Sequence, residues 1–323
     1  SRGLGDVYKR QTQPSPQPTD QGPAKILVGY LATPSGSDAL NLGIGLARSW
    51  NADLEIAMVV PHSEAHSGTY PHTRAHETVI SRKLSTWLED ALAKVPDEIN
   101  ATGRVVSGSD AARSLHRTAK ELDCDLIILG TRGGGLLRRF SIGSSANTLL
   151  HSSSIPVALA PPRYEAPERI SRISCMFGTL SGSHELIDTA IQTAKKSGSE
   201  LRLISFLTQE DAGALNQEVS HKVLENIEAN ANRYLAEQAK QLVDAGSAST
   251  EIVTGKTVAE AATELEWNDD EILLAGSSRL ATAGRVFMGP RAAKVLRTLP
   301  IPLVITPALE KKDEFDKAGD EHA

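Results

Sequence analysis

Short, almost continuous apolar runs separated by amphipathic stretches recur along this chain. Lys25 to Tyr30, Leu54 to Val60, Thr102 to Ser107, Asp125 to Gly130 and Ile155 to Ala160 read as strands in the first half. Arg172 to Phe177, Glu200 to Phe206, Thr250 to Thr254, Glu271 to Gly276 and Ile301 to Thr306 read as strands in the second. Runs without polar alternation mark strands buried on both faces, which is the situation in a parallel sheet covered by helices. Ser37 to Trp50, His76 to Val95, Gly182 to Lys196 and Gln217 to Val243 instead place apolar residues three and four apart, the spacing of a helix with one buried face. The turns Asn51-Ala52-Asp53 and Ser197-Gly198-Ser199 close two of these helices with residues suited to a helix end.

The same order of elements occurs twice, over residues 24–162 and 169–308: strand, helix, strand, long helix, strand, helix, strand, glycine loop, helix, strand. The expectation is an α/β fold of two doubly wound, mainly parallel five-stranded sheets. Right-handed crossovers then put a ligand crevice at the carboxyl ends of the strands, where the strand order reverses. Pro161-Pro162 through Pro167 interrupts the pattern and marks residues 163–168 as a linker between domains.

Composition narrows the function classes. At 323 residues and 40% hydrophobic, the chain has material for two cores of ordinary domain size. Its 34 basic and 40 acidic residues, net −6, are mixed along the length, so there is no cationic stripe to engage a nucleic acid. No apolar run reaches the ~18 residues of a membrane span, so a membrane partner is not expected and a cytoplasmic location is. Cys124 and Cys175, the only cysteines, fall in expected strands and read as reduced core thiols. Asp6-Val7-Tyr8-Lys9-Arg10-Gln11 matches the translated end of a transposon adapter used in sequencing libraries, so Ser1 to Gln11 are set aside as an artefact. The remainder of 1–23, rich in Gln, Pro, Ser and Thr, and the charged stretch 309–323 read as disordered ends.

The chemistry concentrates after the fourth strand, in Gly130-Thr131-Arg132-Gly133-Gly134-Gly135, followed by Gly143-Ser144-Ser145 at the start of a helix. Glycines let backbone approach a ligand and reach positive φ, so that successive amides point into one concavity. A helix N-terminus adds unpaired N–H groups and the positive end of the dipole, both favourable to phosphate. Arg138 and Arg139 lie within the loop, where they either cover a phosphate chain or remain solvated. In the second half the counterpart is Gly276-Ser277-Ser278-Arg279, with Gly289-Pro290-Arg291 after the same interval. There Arg279 replaces a glycine and Pro290 replaces a serine, removing a hydroxyl and an N–H from the anion site; the alternative is that Arg279 or Arg285 pairs with a phosphate through its own side chain. His62 with His66 and His72 with His76 are four apart, but Pro61, Gly68 and Pro71 argue for a loop and against a metal site. His116 and His151 have no evident nucleophile, and no catalytic residue is expected. Trp50, Trp87 and Trp267 are expected to pack at core-facing helix edges.

The spacing of glycine, two residues, glycine, nine residues, glycine and serine resembles the nucleotide-binding signature of the universal stress protein family. The resemblance extends through Ile26-Leu27-Val28-Gly29-Tyr30, Asp125-Leu126-Ile127-Ile128-Leu129-Gly130 and Ser154-Ile155-Pro156-Val157, and covers both halves. It implies an adenine nucleotide α-hydrolase-like, Rossmann-like fold. It also implies binding of an adenine nucleotide, ATP or another, and a regulatory role in the stress response; no metal is expected on protein ligands, and magnesium could accompany only the ATP. Gly130, Thr131, Arg132, Gly133, Gly143, Ser144 and Ser145 would hold phosphates and ribose, and the backbone at Val59 and Val60 would meet the adenine. It further implies that the fifth strands of the two halves pair, giving an internal pseudo-dimer, with a further homodimer possible. The chain departs from the family where an aspartate usually follows the first strand: Leu31 stands there in the first half, and Phe177-Gly178-Thr179 in the second. Ser35, Ser37 and Asp38 are candidate substitutes from the same loop. Two other readings remain: a nucleotide-independent protein-interaction module, and a slow ATP hydrolase on a fold that hosts such enzymes.

Overall fold

The structure, a computed structural model, describes residues 7–9, 23–60, 74–134, 139–177, 184–208, 217–278 and 281–308. Both repeats follow the expected order. The first comprises β2 (Lys25–Gly29), α1 (Pro34–Trp50), β3 (Asp53–Val60), α2 (Arg74–Leu92), β4 (Ala101–Ser107) and α3 (Ala111–Glu121). It continues with β5 (Leu126–Gly130), a small hairpin of β6 (Arg132–Gly134) and β7 (Arg139–Ser141), α4 (Ser144–Leu149) and β8 (Val157–Ala160). The second comprises β9 (Arg172–Met176), α5 (His184–Ser197), β10 (Glu200–Thr208), α6 (Gln217–Gln238), α7 (Lys240–Asp244) and β11 (Ala248–Gly255). Then come α8 (Val258–Glu264), β12 (Glu271–Gly276), α9 (Pro290–Leu296) and β13 (Leu303–Thr306).

Each repeat makes a parallel sheet, in the order β4-β3-β2-β5-β8 and β11-β10-β9-β12-β13, and the reversal falls between its first and fourth strands. The two sheets are not separate. β8 pairs antiparallel with β13, Ala158 opposite Val304, and merges them into one continuous sheet. Helices α1, α2, α5 and α6 cover one face over a core that includes Leu40, Leu46, Leu88, Ile187 and Leu235. The opposite face is covered by α3, α4, α8 and α9, with Leu115, Leu149, Ala261 and Val295 inside. Local signals fix the ends of several helices. Thr33, Asp110 and Thr257 accept N–H groups as side-chain N-caps, while Asn51 at φ 50° closes α1.

The structure departs from the sequence expectations in four places. The stretch set aside at the N-terminus contributes β1 (Val7–Lys9), which adds antiparallel to β4. An open sheet edge accepts any extended segment that can supply backbone groups, whatever its origin. The long helix expected over 217–243 breaks at Ala239 (φ −124°, ψ 29°) into α6 and α7. No proline or glycine marks that break, so the apolar period runs straight through it. Cys124 lies in the turn before β5 rather than in a strand, although both cysteines are buried. Burial pushes the Cys124 thiol up to about 12 and raises Cys175 as well, so neither is a thiolate at neutral pH. Trp267 follows α8 instead of lying on it, where its indole N–H donates to the Ala262 carbonyl at 2.9 Å.

The linker is laid along α1. Asn41 Nδ2 donates to the Tyr164 carbonyl (2.7 Å), the Tyr164 N–H donates to Asp38 Oδ1 (3.2 Å), and the Ile170 N–H donates to Ser49 Oγ (2.8 Å). A Cβ on Gly45 would stand 2.8 Å from Pro167, so that helix position must be glycine for the chain to cross there.

Candidate functional site

The strand reversal leaves a crevice above β2 and β5. α1, which follows β2, covers one face of the sheet, while α4, which follows β5 and the hairpin, covers the other. Loops diverging to opposite faces leave a gap over the carboxyl ends of the strands, the place where open α/β sheets hold ligands. The candidate residues Gly130, Gly133 and Gly143 come together there. β6 and β7 pair Arg132 with Ser141, which brings the chain leaving Gly130 beside the chain entering Gly143.

The glycines play different parts. A Cβ on Gly130 would stand 1.8 Å from the Ser35 carbonyl oxygen, so this glycine lets the α1 loop close onto the end of β5. Gly133 is exposed in the hairpin, and among the described residues an added Cβ would meet Pro162, at 3.5 and 3.6 Å. Around Gly143 no heavy atom of the described residues lies within 4 Å of where a Cβ would stand. None of the three has positive φ; among the described residues the left-handed glycines are Gly198, Gly246 and Gly284. The stretch from Gly130 is therefore a hairpin, not the nest of alternating φ that a glycine-rich turn suggested. Strand pairing, which local composition does not report, decides its shape.

At the start of α4, Gly143 is the N-cap at φ −65° and ψ 160°, and among the described residues no side chain caps the helix. The Asn147 N–H already reaches the Gly143 carbonyl (2.9 Å), and helix geometry leaves the amides of Ser144, Ser145 and Ala146 without an intrahelical acceptor. Ser144 is exposed and Ser145 half-buried. Arg132 is exposed at the start of the hairpin.

Thr131 is placed differently. It is buried, and both its N–H (2.9 Å) and its hydroxyl (2.8 Å) donate to the Ala160 carbonyl at the end of β8. Ser277, its counterpart in the second repeat, repeats this latch: its N–H (3.1 Å) and hydroxyl (2.6 Å) donate to the Thr306 carbonyl. A device shared by both repeats fastens the fourth strand to the fifth. Val60, at the end of β3, is half-buried, and its carbonyl accepts the Gly108 N–H at 3.0 Å. Leu31 projects from the end of β2 and is 53% exposed, an unusual state for a leucine, at the position where the aspartate of the resemblance would stand. Of the candidate substitutes in the loop, Ser35 and Ser37 are half-buried and Asp38 is buried. Thr33 is the α1 cap with its hydroxyl 3.2 Å from that of Ser35. Asp38 faces the linker, where burial raises its pKa and the N–H groups of Arg163 and Tyr164 partly offset that rise.

The second repeat closes the corresponding space. Ser278 Cβ and Oγ lie 3.0 and 3.4 Å from where a Cβ on Gly289 would stand, and Pro290 opens α9 without a side-chain cap. The Ser278 N–H donates to the Phe287 carbonyl (2.8 Å), and the Phe287 N–H donates to Ser277 Oγ (2.9 Å), so this loop is folded onto itself. Its outer side meets the first repeat. Val286 N–H donates to the Ser153 carbonyl (2.7 Å), Met288 N–H to Leu150 (2.9 Å) and an Arg285 guanidinium N–H to Ser152 (2.9 Å), while the Phe287 ring meets His151 edge-on at 4.9 Å. Beside this contact, His116 Nε2 accepts the Ser154 N–H at 3.1 Å. Burial, Arg285 and Lys120 all lower its pKa. Val286, Phe287 and Met288 carry no motif, and sequence reasoning passed over them; Arg285, a candidate partner for a phosphate, donates to the Ser152 carbonyl of the other repeat.

His62, His66 and His72, Arg138, and Arg279 lie outside the described residues, as do the side chains of His76 and Arg139. Among the described residues no group of three His, Cys, Asp or Glu stands close enough to hold a metal ion, and no helix is long and apolar enough to cross a membrane.

The model of the Universal stress protein family matches residues 23–161 and 171–307. Universal stress proteins of Mycobacterium tuberculosis and Mycobacterium bovis are 30% identical over 300 residues, covering 87% of this chain and 99% of their own length. Among solved structures, a universal stress protein from Archaeoglobus fulgidus superposes with a TM-score of 0.61 at 15% identity, covering 89% of this chain and all of its own. A protein of unknown function from Pseudomonas aeruginosa gives 0.56 at 15% identity, covering 89% and 94%. At that identity the structural likeness speaks for the fold alone.

Proposed function

Because the chain belongs to the universal stress protein family, with both repeats matched, we propose that its first repeat binds an adenine nucleotide, ATP in the first instance, and that the protein acts as a nucleotide-responsive regulator. The contrast between the repeats carries this reading. At Gly143 no atom of the described residues fills the space before the helix, whereas at Gly289 that space is filled by Ser278 and the first helical N–H is lost to Pro290; neither helix start carries a side-chain cap among the described residues. An uncapped amide cluster at the reversal point of a parallel sheet favours an anion, and phosphate oxygens match its donors.

In this reading the amides of Ser144 and Ser145 and their hydroxyls take phosphate oxygens, with Gly143 leaving room for the chain to approach. Arg132, exposed at the hairpin, neutralises the outer phosphates. Gly130 and Thr131 act one step back: they fasten the α1 loop and β8 around the crevice without touching the ligand. Val60 contributes the wall that faces the base. The crevice is a binding site, and the reading assigns it no chemical step.

Thermal unfolding with and without millimolar ATP, AMP and GTP tests it, because a ligand that binds only the folded state stabilises it by about 2.7 kcal/mol at a hundredfold excess over Kd. A shift with ATP that disappears in Gly143→Val is the expected result. No shift with any nucleotide would leave the nucleotide-independent interaction module as the better description.

A further inference from the structure

The second repeat has lost the chemistry of its loop yet keeps the same nine-residue interval to Gly289. Length alone serves no phosphate, so something else in the molecule must use it. The contacts of the loop show what does. Residues 285–288 reach across the junction and bind the C-cap of α4 and the turn after it through three separate donors: the Met288 amide on the carbonyl of the cap residue Leu150, and the Val286 amide and Arg285 guanidinium on the carbonyls of Ser153 and Ser152.

The Leu150 carbonyl stands at the end of a helix that has run out of intrahelical donors, and such a group needs a partner from elsewhere; Ser152 and Ser153 fix the turn that leaves the helix. α4 is six residues long, about 9 Å at 1.5 Å per residue. So short a helix has little rigidity of its own, and its direction is set by what holds its ends. One end carries Gly143, Ser144 and Ser145; the other is held by the opposite repeat. Val286 and Met288 are buried, so their amides have little access to water as a competing acceptor.

We propose that residues 285–288 of the degenerate repeat are a positioning clamp for α4, and that the anion-binding end of this helix is properly aimed only while the clamp is closed. The clamp follows from the contacts of Arg285, Val286 and Met288; its bearing on affinity rests on the nucleotide reading above. Coupling of this kind is reciprocal, so a ligand at Ser144 and Ser145 also tightens the clamp.

The test uses the full chain with Arg285→Ala, Phe287→Ala and the two combined, each first shown to unfold cooperatively. Hydrogen–deuterium exchange at α4 and calorimetric titration with ATP are then compared with the wild type. Faster exchange of the Asn147 and Leu150 amides is expected, with ATP bound about tenfold more weakly, the size of one lost charge-assisted hydrogen bond. Arg285→Lys, which keeps a donor for the Ser152 carbonyl, should recover most of both. In the wild type, ATP should slow exchange at Val286 and Met288, and Gly143→Val should abolish that slowing. Unchanged exchange at α4 in the double variant would overturn the clamp. So would a wild type that binds ATP and a double variant that binds it equally tightly, while leaving the nucleotide reading intact. Should the wild type bind no nucleotide while the double variant exchanges faster at α4, the clamp stands and the nucleotide reading falls.

Discussion

Among single residues the two glycines that bracket the hairpin make opposite predictions. Gly130 faces the Ser35 carbonyl at a distance no Cβ tolerates, and the obstacle is backbone, which cannot rotate away. Gly130→Ala should therefore destabilise the fold by roughly 1–3 kcal/mol, the range of an overpacked interior site. Gly143 has no atom of the described residues beyond its chain neighbours within 4 Å of where a Cβ would stand, and φ of −65° suits any residue. Gly143→Ala should leave the denaturant midpoint within the scatter of a surface change and weaken ATP. Equal stability losses for the two, by urea titration, would show that the space at Gly143 is not the approach path of a ligand. Leu31 gives a gain rather than a loss. Its side chain is already half in water, so Leu31→Asp should cost little stability. A carboxylate at this crevice position offers an acceptor to sugar hydroxyls and should tighten ATP about tenfold, the scale of one hydrogen bond to a charged group. Calorimetry on this variant checks it; unchanged affinity would mean that the base and sugar do not lie over β2.

At the level of elements, β2, β5, β9 and β12 were legible almost to the residue, because strands buried on both faces advertise themselves as apolar runs. What escaped the sequence depends on pairing. Gly130 to Gly135 reads as a turn, yet Gly133 finds a partner in Phe140 and becomes strand. Thr131 has the hydroxyl of a ligand residue, and only the register of β5 against β8, Gly130 opposite Ala160, shows that it serves the sheet. Val286 and Met288 contact the other repeat through backbone amides, which leave no mark in side-chain chemistry. The α3–α4 region near that contact also predicts a pH dependence. His116 must be neutral to accept the Ser154 N–H, and burial, Arg285 and Lys120 keep its folded pKa below the ordinary 6.5. As pH falls from about 6.5 towards that lower value, the unfolded chain takes up the proton before the folded one, so stability declines. Above 6.5 the imidazole is neutral in both states and the contribution is complete. Urea midpoints between pH 8 and 5 should therefore fall more steeply for the wild type than for His116→Gln; parallel curves would remove His116 from the account.

For the whole molecule, the junction of the two sheets decides how the repeats depend on each other. β8 is buried along its length, and the residues facing across the junction are Val157 with Ile305, Ala158 with Val304, and Leu159 with Leu303. Val304 is the second-repeat counterpart of Ala158, as Gly276 is of Gly130, so the pairing is two-fold symmetric about that residue pair. A symmetric contact between unlike halves can equally be made between like halves. Without its partner, the first repeat would present an apolar strand with a free row of backbone groups, the surface that associates most readily. A fragment of residues 23–168 should accordingly form a dimer through β8 against β8, with Ala158 opposite Ala158 of the second copy. Sedimentation velocity on the fragment checks this, and Ala158→Pro, which removes a ladder N–H and imposes its own φ, should shift it towards monomer or aggregate. A fragment that stays monomeric and unfolds cooperatively would show that β8 does not need a strand partner, and that the continuous sheet follows from tethering rather than from the edge itself.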